Sequence, residues 1–234
     1  MKPYQTMPIR ECGEPLTPIP GDRLRLVSPH PYQALGAPYG ERSPFWVRQG
    51  VVEALVLAQE LLEQQRPGWH LQIFDAYRPI PVQQFMVDYA FAELAAARGL
   101  VVSQLQARER KALQAEVMQF WAVPSADPAT PPPHSTGAAV DVTLLDAEGQ
   151  PVDMGSPIDE ISPRSLPDHF AQASDPAGRQ AHAHRQQLYG VMAQAGFRRH
   201  PNEWWHFSLG DQFWAWLEQE ATGKAAIARY GRAE

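Results

Sequence analysis

Val51, Val52, Leu55, Ala58 and Leu62 recur at helical spacing, and Pro67-Gly68 stops the helix they predict. Trp69-His70-Leu71-Gln72-Ile73-Phe74 then reads as a core strand. After Asp75-Ala76-Tyr77-Arg78, the prolines at 79 and 81 suit a helix start; Val82, Phe85, Met86, Tyr89, Ala90 and Leu94 form its apolar stripe and Gly99 ends it. A third helix is expected from about Gln104 to Trp121, followed by a proline-rich loop, 123–133, that leads into His134. Residues 138–144 alternate as a strand, and Asp146-Ala147-Glu148-Gly149 resembles a hairpin turn into a short partner strand near Val152. Leu188, Val191, Met192 and Ala195 mark a further amphipathic helix closed by Gly196. Asp211 is placed to cap a final helix that buries Phe213, Trp214 and Leu217.

The fold class implied is α+β, with helices packed on a small antiparallel sheet in a single domain. Residues 1–45 read as an irregular N-terminal arm of that domain, with one short apolar segment at Leu24-Arg25-Leu26-Val27, and 46–234 form its body. A chain of 234 residues, 44% hydrophobic and 20% charged, is long enough for one well-filled core. The net charge of −6 argues against a nucleic-acid partner, which calls for a basic face. The first twenty residues have no apolar signal-like region, and no stretch is apolar enough to suggest a membrane span, so a cytoplasmic protein is expected. Cys12 is the only cysteine, which excludes an intrachain disulfide and a four-thiolate zinc site. Any metal must therefore use histidines and carboxylates.

Two segments carry that chemistry. His134-Ser135-Thr136-Gly137-Ala138-Ala139-Val140-Asp141 puts an imidazole at a loop end and a carboxylate in the following strand, and Asn202-Glu203-Trp204-Trp205-His206 offers a second imidazole with a carboxylate three residues earlier. Two histidines, one aspartate and a water would complete a tetrahedral zinc site with an open position. Taken singly, His134 also reads as a loop histidine and Asp141 as an ordinary strand carboxylate. Glu203 and His206 are oddly spaced for one strand face, so they converge only if Glu203 lies in a bend before the strand. His182 and His184 lie about 200° apart around a helix and read as surface groups, while His169 and His200 lack a carboxylate at a recognisable spacing. Trp204, Trp205, Trp214 and Trp216 read as core aromatics rather than a carbohydrate platform.

These segments resemble the zinc D,D-peptidase family, and in particular its D-alanyl-D-alanine dipeptidase branch. The resemblance rests on Phe74-Asp75-Ala76-Tyr77-Arg78-Pro79, on the stretch from His134 to Leu144, on Asp153-Met154-Gly155-Ser156-Pro157-Ile158-Asp159, and on Glu203-Trp204-Trp205-His206-Phe207, four motifs in order across roughly 50–210. It implies one zinc ion per chain held by His134, Asp141 and His206, Glu203 as the catalytic base, and Arg78 as the group that binds the carbonyl oxygen as it gains charge. Arg78 also reads as a turn arginine paired with Asp75. Tyr77, Met154 and the Asp159 loop are expected to act as pocket or scaffold. The implied activity is hydrolysis of free D,D-dipeptides such as D-Ala-D-Ala. The alternatives are a D,D- or L,D-carboxypeptidase or endopeptidase acting on longer wall peptides, or a non-catalytic zinc-binding domain. The arm segment 31–40 only loosely matches the family's aromatic segment, and Pro132-Pro133 stand where small polar residues often precede the first histidine.

Overall fold

The computed structural model describes residues 2–233. In chain order its strands and helices are β1 Leu16–Pro18, β2 Arg25–Leu26, α1 Pro31–Ala34, β3 Trp46–Arg48, α2 Gln49–Gln65, β4 His70–Asp75, α3 Ile80–Ala97, α4 Ala107–Phe120, β5 Ala139–Leu145, α5 Pro176–Gln194, β6 Arg198–Arg199, β7 His206–Ser208 and α6 Gln212–Thr222. Five strands form one sheet in the order β2-β4-β5-β7-β6, and β1 with β3 makes a separate pair. The larger sheet is antiparallel except at β2, which joins β4 in parallel. That strand comes from the arm, whose Ile19 and Leu24 are buried in the main core.

The helices form where the apolar periodicity places them. α2 buries Val51, Ala54, Leu55, Ala58 and Leu62, and packs with α5, which buries Leu188, Val191 and Met192. Their apolar faces meet Leu71, Ile73, Val140, Val142 and Leu144 of the sheet in one cluster. A second cluster joins α3 and α4 to Tyr32 and Tyr39 of the arm. Fully burying a leucine or valine contributes about 1.5–3 kcal/mol, so these two clusters fix the frame that carries the polar site between them.

Two elements differ from the sequence reading. The third helix begins at Ala107, after a separate short turn at Val102–Gln104. The expected partner strand near Val152 is reduced to a single bridge, Leu145 to Pro151, plus the bond from Val152 N to Leu144 O. Pro151 has no amide proton to give the ladder, which stops there. Among the described residues no helix is long and apolar enough to cross a membrane.

Candidate metal centre and active site

β5 is the central strand of the site. Its register puts Asp141 opposite His206 of β7 on one side and opposite Asp75 of β4 on the other. The Asp75 pairing depends on an irregularity between Ile73 and Asp75, which turns the end of β4 toward the polar site. Asp75 occupies the last inward position of an alternating strand, and its carboxylate is fully buried.

His134 sits on the short helical turn Pro133–Thr136, which ends at Gly137 in the left-handed region, φ 70°. A side chain there would be strained by φ, and its Cβ would lie 2.3 Å from Leu16 Cδ2. The turn is tied to the arginine segment in both directions: Arg78 N donates to His134 O at 3.2 Å, and Ser135 Oγ donates to Arg78 O at 2.7 Å. His134 Nδ1 donates to Ala76 O at 2.6 Å, so Nε2 carries the lone pair. His206 is oriented from its far side. Ser208 Oγ donates to Asp211 Oδ2 at 3.0 Å and presents its own lone pair to His206 Nε2 at 3.5 Å, which leaves Nδ1 free to coordinate.

The three acceptors converge. His134 Nε2 lies 3.2 Å from His206 Nδ1 and 3.3 Å from Asp141 Oδ2, and His206 Nδ1 lies 3.1 Å from Asp141 Oδ1. One ligand atom from each residue falls within 4.8 Å of the others. Two imidazole lone pairs and a carboxylate, all buried, face one another; a divalent cation with nitrogen and oxygen preferences is the group this donor set fits. Positive charge already reaches it from Arg78, whose Nη2 is 2.7 Å from Asp141 Oδ2 and 3.2 Å from His134 Nε2.

Arg78 also donates through Nε to Asp75 Oδ2 at 2.5 Å and through Nη1 to Gln83 Oε1 at 3.3 Å, with its guanidinium over the Tyr32 and Trp121 rings. The pairing of Arg78 with Asp75 expected of a turn arginine is present, and the same guanidinium also reaches Asp141 and His134. Burial opposes its charge, but the surrounding Tyr32, Asp75 and Asp141 keep the guanidinium firmly protonated. Asp141 shows the reverse balance: burial alone would raise its pKa, while His134, His206 and Arg78 together hold it well below the usual carboxylate range.

Glu203 lies in a bend before β7, closed by bonds from His200 N to His206 O and from Glu203 N to His200 O. The bend brings Glu203 Oε2 to 3.8 Å from His206 Nδ1. Its Oε1 is buried and has no hydrogen-bond partner among the described residues. Burial, followed by the negative charges of Asp141 and Asp159, pushes this carboxyl well above its ordinary pKa.

Of four further neighbours, the sequence reading placed only Asp159, as part of a pocket or scaffold loop, and did not assign His30, His200 or Lys2. Asp159, at φ 66°, accepts from Tyr32 Oη at 2.7 Å, and burial, with the charge of Asp141, pushes it up to about 7. His30 bonds Asp75 at 3.0 Å through Nε2. His200 stacks on Phe213 at 4.8 Å and approaches Glu203 Oε1 at 3.7 Å. Lys2 reaches the same cavity from the arm. The positive φ of Asp159 and the fold of the arm leave no periodic signal; only the end of the Asp153–Asp159 motif pointed to Asp159. That loop is clamped by buried Arg185, which donates to Met154 O and Ser156 Oγ, and Ser156 also accepts from Trp204 Nε1. Trp204 and Trp205 are buried core residues. His184 bonds Asp153 O, outside the cluster, as are His169 and His182. The cavity over the site is bounded by Lys2, Tyr4, Arg78, Asp159, His200 and Glu203, among others, and holds about 40 Å³ of free space.

Comparison with known proteins adds the following. Residues 25–223 match the Peptidase M15 family, described as D-ala-D-ala dipeptidase. The chain is 49% identical over 241 residues to a D-alanyl-D-alanine dipeptidase of Synechocystis, covering 100% of this chain and 98% of that protein. It is 31% identical over 157 residues to a D-alanyl-D-alanine dipeptidase of Escherichia coli, covering 65% and 62% of the two chains. Among solved structures, a vancomycin-resistance D,D-pentapeptidase, VanY, in complex with Zn(II) is a remote neighbour, with TM-score 0.44, 19% identity, and coverage of 89% and 91%.

Proposed function

The chain belongs to the Peptidase M15 family of D-Ala-D-Ala dipeptidases, and from that membership we propose that it is a zinc-dependent dipeptidase that hydrolyses D-Ala-D-Ala to two D-alanines through the site described above. The observation that carries this reading is the convergence of three buried acceptors beside a glutamate oxygen that has no hydrogen-bond partner among the described residues.

His134 Nε2, Asp141 and His206 Nδ1 would hold the zinc, which when bound supplies a Lewis acid and lowers the pKa of a coordinated water toward ~7. Glu203 accepts a proton at Oε1 and returns it to the leaving amine, a relay for which its raised pKa suits it. Arg78 presents a permanent cation to the carbonyl oxygen as negative charge develops. Asp75 fixes the guanidinium in place and is itself held by His30. Asp159, with Tyr32 Oη, offers a buried acceptor to the substrate's ammonium group. The presence of both Glu203 and Arg78 favours an enzyme over a non-catalytic zinc domain.

The test is a zinc-loaded assay of released alanine on D-Ala-D-Ala, L-Ala-L-Ala, N-acetyl-D-Ala-D-Ala and a pentapeptide ending in D-Ala-D-Ala. Fastest turnover of the free D,D-dipeptide is expected. Faster cleavage of the acetylated or pentapeptide substrate would identify a carboxypeptidase instead, and no cleavage of any of them a binding domain.

A further inference from the structure

Resting on the dipeptidase reading, we propose that Lys2, carried on the N-terminal turn, receives the C-terminal carboxylate of the dipeptide and so sets the enzyme's preference for substrates with a free carboxylate. The cavity wall contains two carboxylate groups, Asp159 and Glu203, with the charge of Asp141 acting on Glu203 from behind it, and a substrate carboxylate entering among them is repelled unless a cation meets it. Arg78 is already engaged with Asp75 and Asp141. Lys2 is the other lysine or arginine on the wall. Its Nζ donates to Trp121 O at 3.3 Å, and it forms no ion pair among the described residues. An ammonium has three protons to donate, so two remain for a ligand.

The turn that carries Lys2 is built into the fold. Lys2 N donates to Gln5 Oε1 at 2.8 Å, closing the short helical turn Pro3–Thr6. Tyr4 stands edge-on to the Phe213 ring of α6 at 5.1 Å. Gln212 of the same helix donates to Met7 O at 2.7 Å, and Ala228 exchanges backbone bonds with Pro8 and Arg10. The backbone at Lys2 is therefore anchored, while its half-buried side chain keeps the flexibility to make room in a cavity of about 40 Å³.

The experiment compares D-Ala-D-Ala with D-alanyl-D-alaninamide, in which the carboxylate is replaced by a neutral amide, on zinc-loaded wild type, Lys2→Met and Lys2→Arg. Wild type should prefer the free acid by about 10- to 100-fold in kcat/KM, the range of one hydrogen bond between charged groups. Lys2→Met should collapse that preference, chiefly through a higher KM for the acid, and Lys2→Arg should restore most of it. Zinc content and thermal midpoint, measured alongside, should not move. Retention of the wild-type preference in Lys2→Met, or an equal loss on both substrates, would overturn the proposal and leave the dipeptidase reading standing. Failure of the wild type to cleave any dipeptide would overturn both.

Discussion

At the scale of single residues, hydrogen bonds orient the polar groups of the site and leave one buried carboxylate oxygen without a hydrogen-bond partner among the described residues. Ala76 O fixes the His134 tautomer, Ser208 orients His206, and Asp75 holds Arg78. That carboxylate oxygen is Glu203 Oε1, a buried acceptor with no donor among the described residues, and an unpaired buried polar group is costly unless a ligand or water uses it. Glu203→Gln keeps the shape and removes the proton acceptor. We expect zinc content to stay at the wild-type value while kcat falls by about 10²–10⁴-fold, measured by metal analysis and turnover on the same preparation. Wild-type turnover in that variant would remove Glu203 from the role of base.

At the scale of elements, α6 does more than cover the core. Asp211 caps it, accepting from Trp214 N at 2.7 Å through Oδ1, while Oδ2 accepts from Ser208, which backs His206. Burial pushes Asp211 up to about 6 from an ordinary value of 3.8, despite these hydrogen bonds. The sign follows from the raised value: the folded protein binds this proton more tightly than the unfolded chain does. The stabilisation is complete below about pH 4 and is lost as pH rises through about 6. Asp211→Asn retains a good cap without the titration. In metal-free protein, the thermal midpoint of Asp211→Asn relative to wild type should therefore rise between pH 4 and pH 6 and then level off, with a span of up to about 3 kcal/mol. A difference that stays flat across that interval would show that Asp211 does not titrate there.

At the scale of the whole molecule, the proposed ligands come from segments far apart in the chain: a turn at 134, a central strand at 141 and an edge-proximal strand at 206. None of them can assemble the set in an unfolded chain, so zinc binds the native state and stabilises it by mass action. Removing metal with a chelator should lower the thermal midpoint, and adding zinc back should restore it. At a hundred times the dissociation constant, the gain is about 2.7 kcal/mol. Asp141→Ala should lose most of this zinc-dependent rise. An unchanged zinc response in that variant would reject Asp141 as a ligand.

What the sequence determined by itself was local. The helices at 49–65, 80–97 and 176–194 follow from apolar spacing and from the prolines and glycines at their ends, because backbone periodicity alone decides which side chains share a face. The candidate residues at 78, 134, 141, 203 and 206 stood out because they lie in ordered motifs that resemble those of the zinc D,D-peptidases, and the bend needed at Glu203 followed from its odd spacing to His206. The tertiary structure decided what depends on contacts distant in sequence. The irregular register of β4 against β5 turns Asp75 onto Arg78, and a loop clamped by Arg185 delivers Asp159. The proline-rich arm, unpatterned in sequence, adds a parallel strand and brings Lys2 over the site. Such positions are set by burial and pairing with partners up to two hundred residues away, and no local period records them.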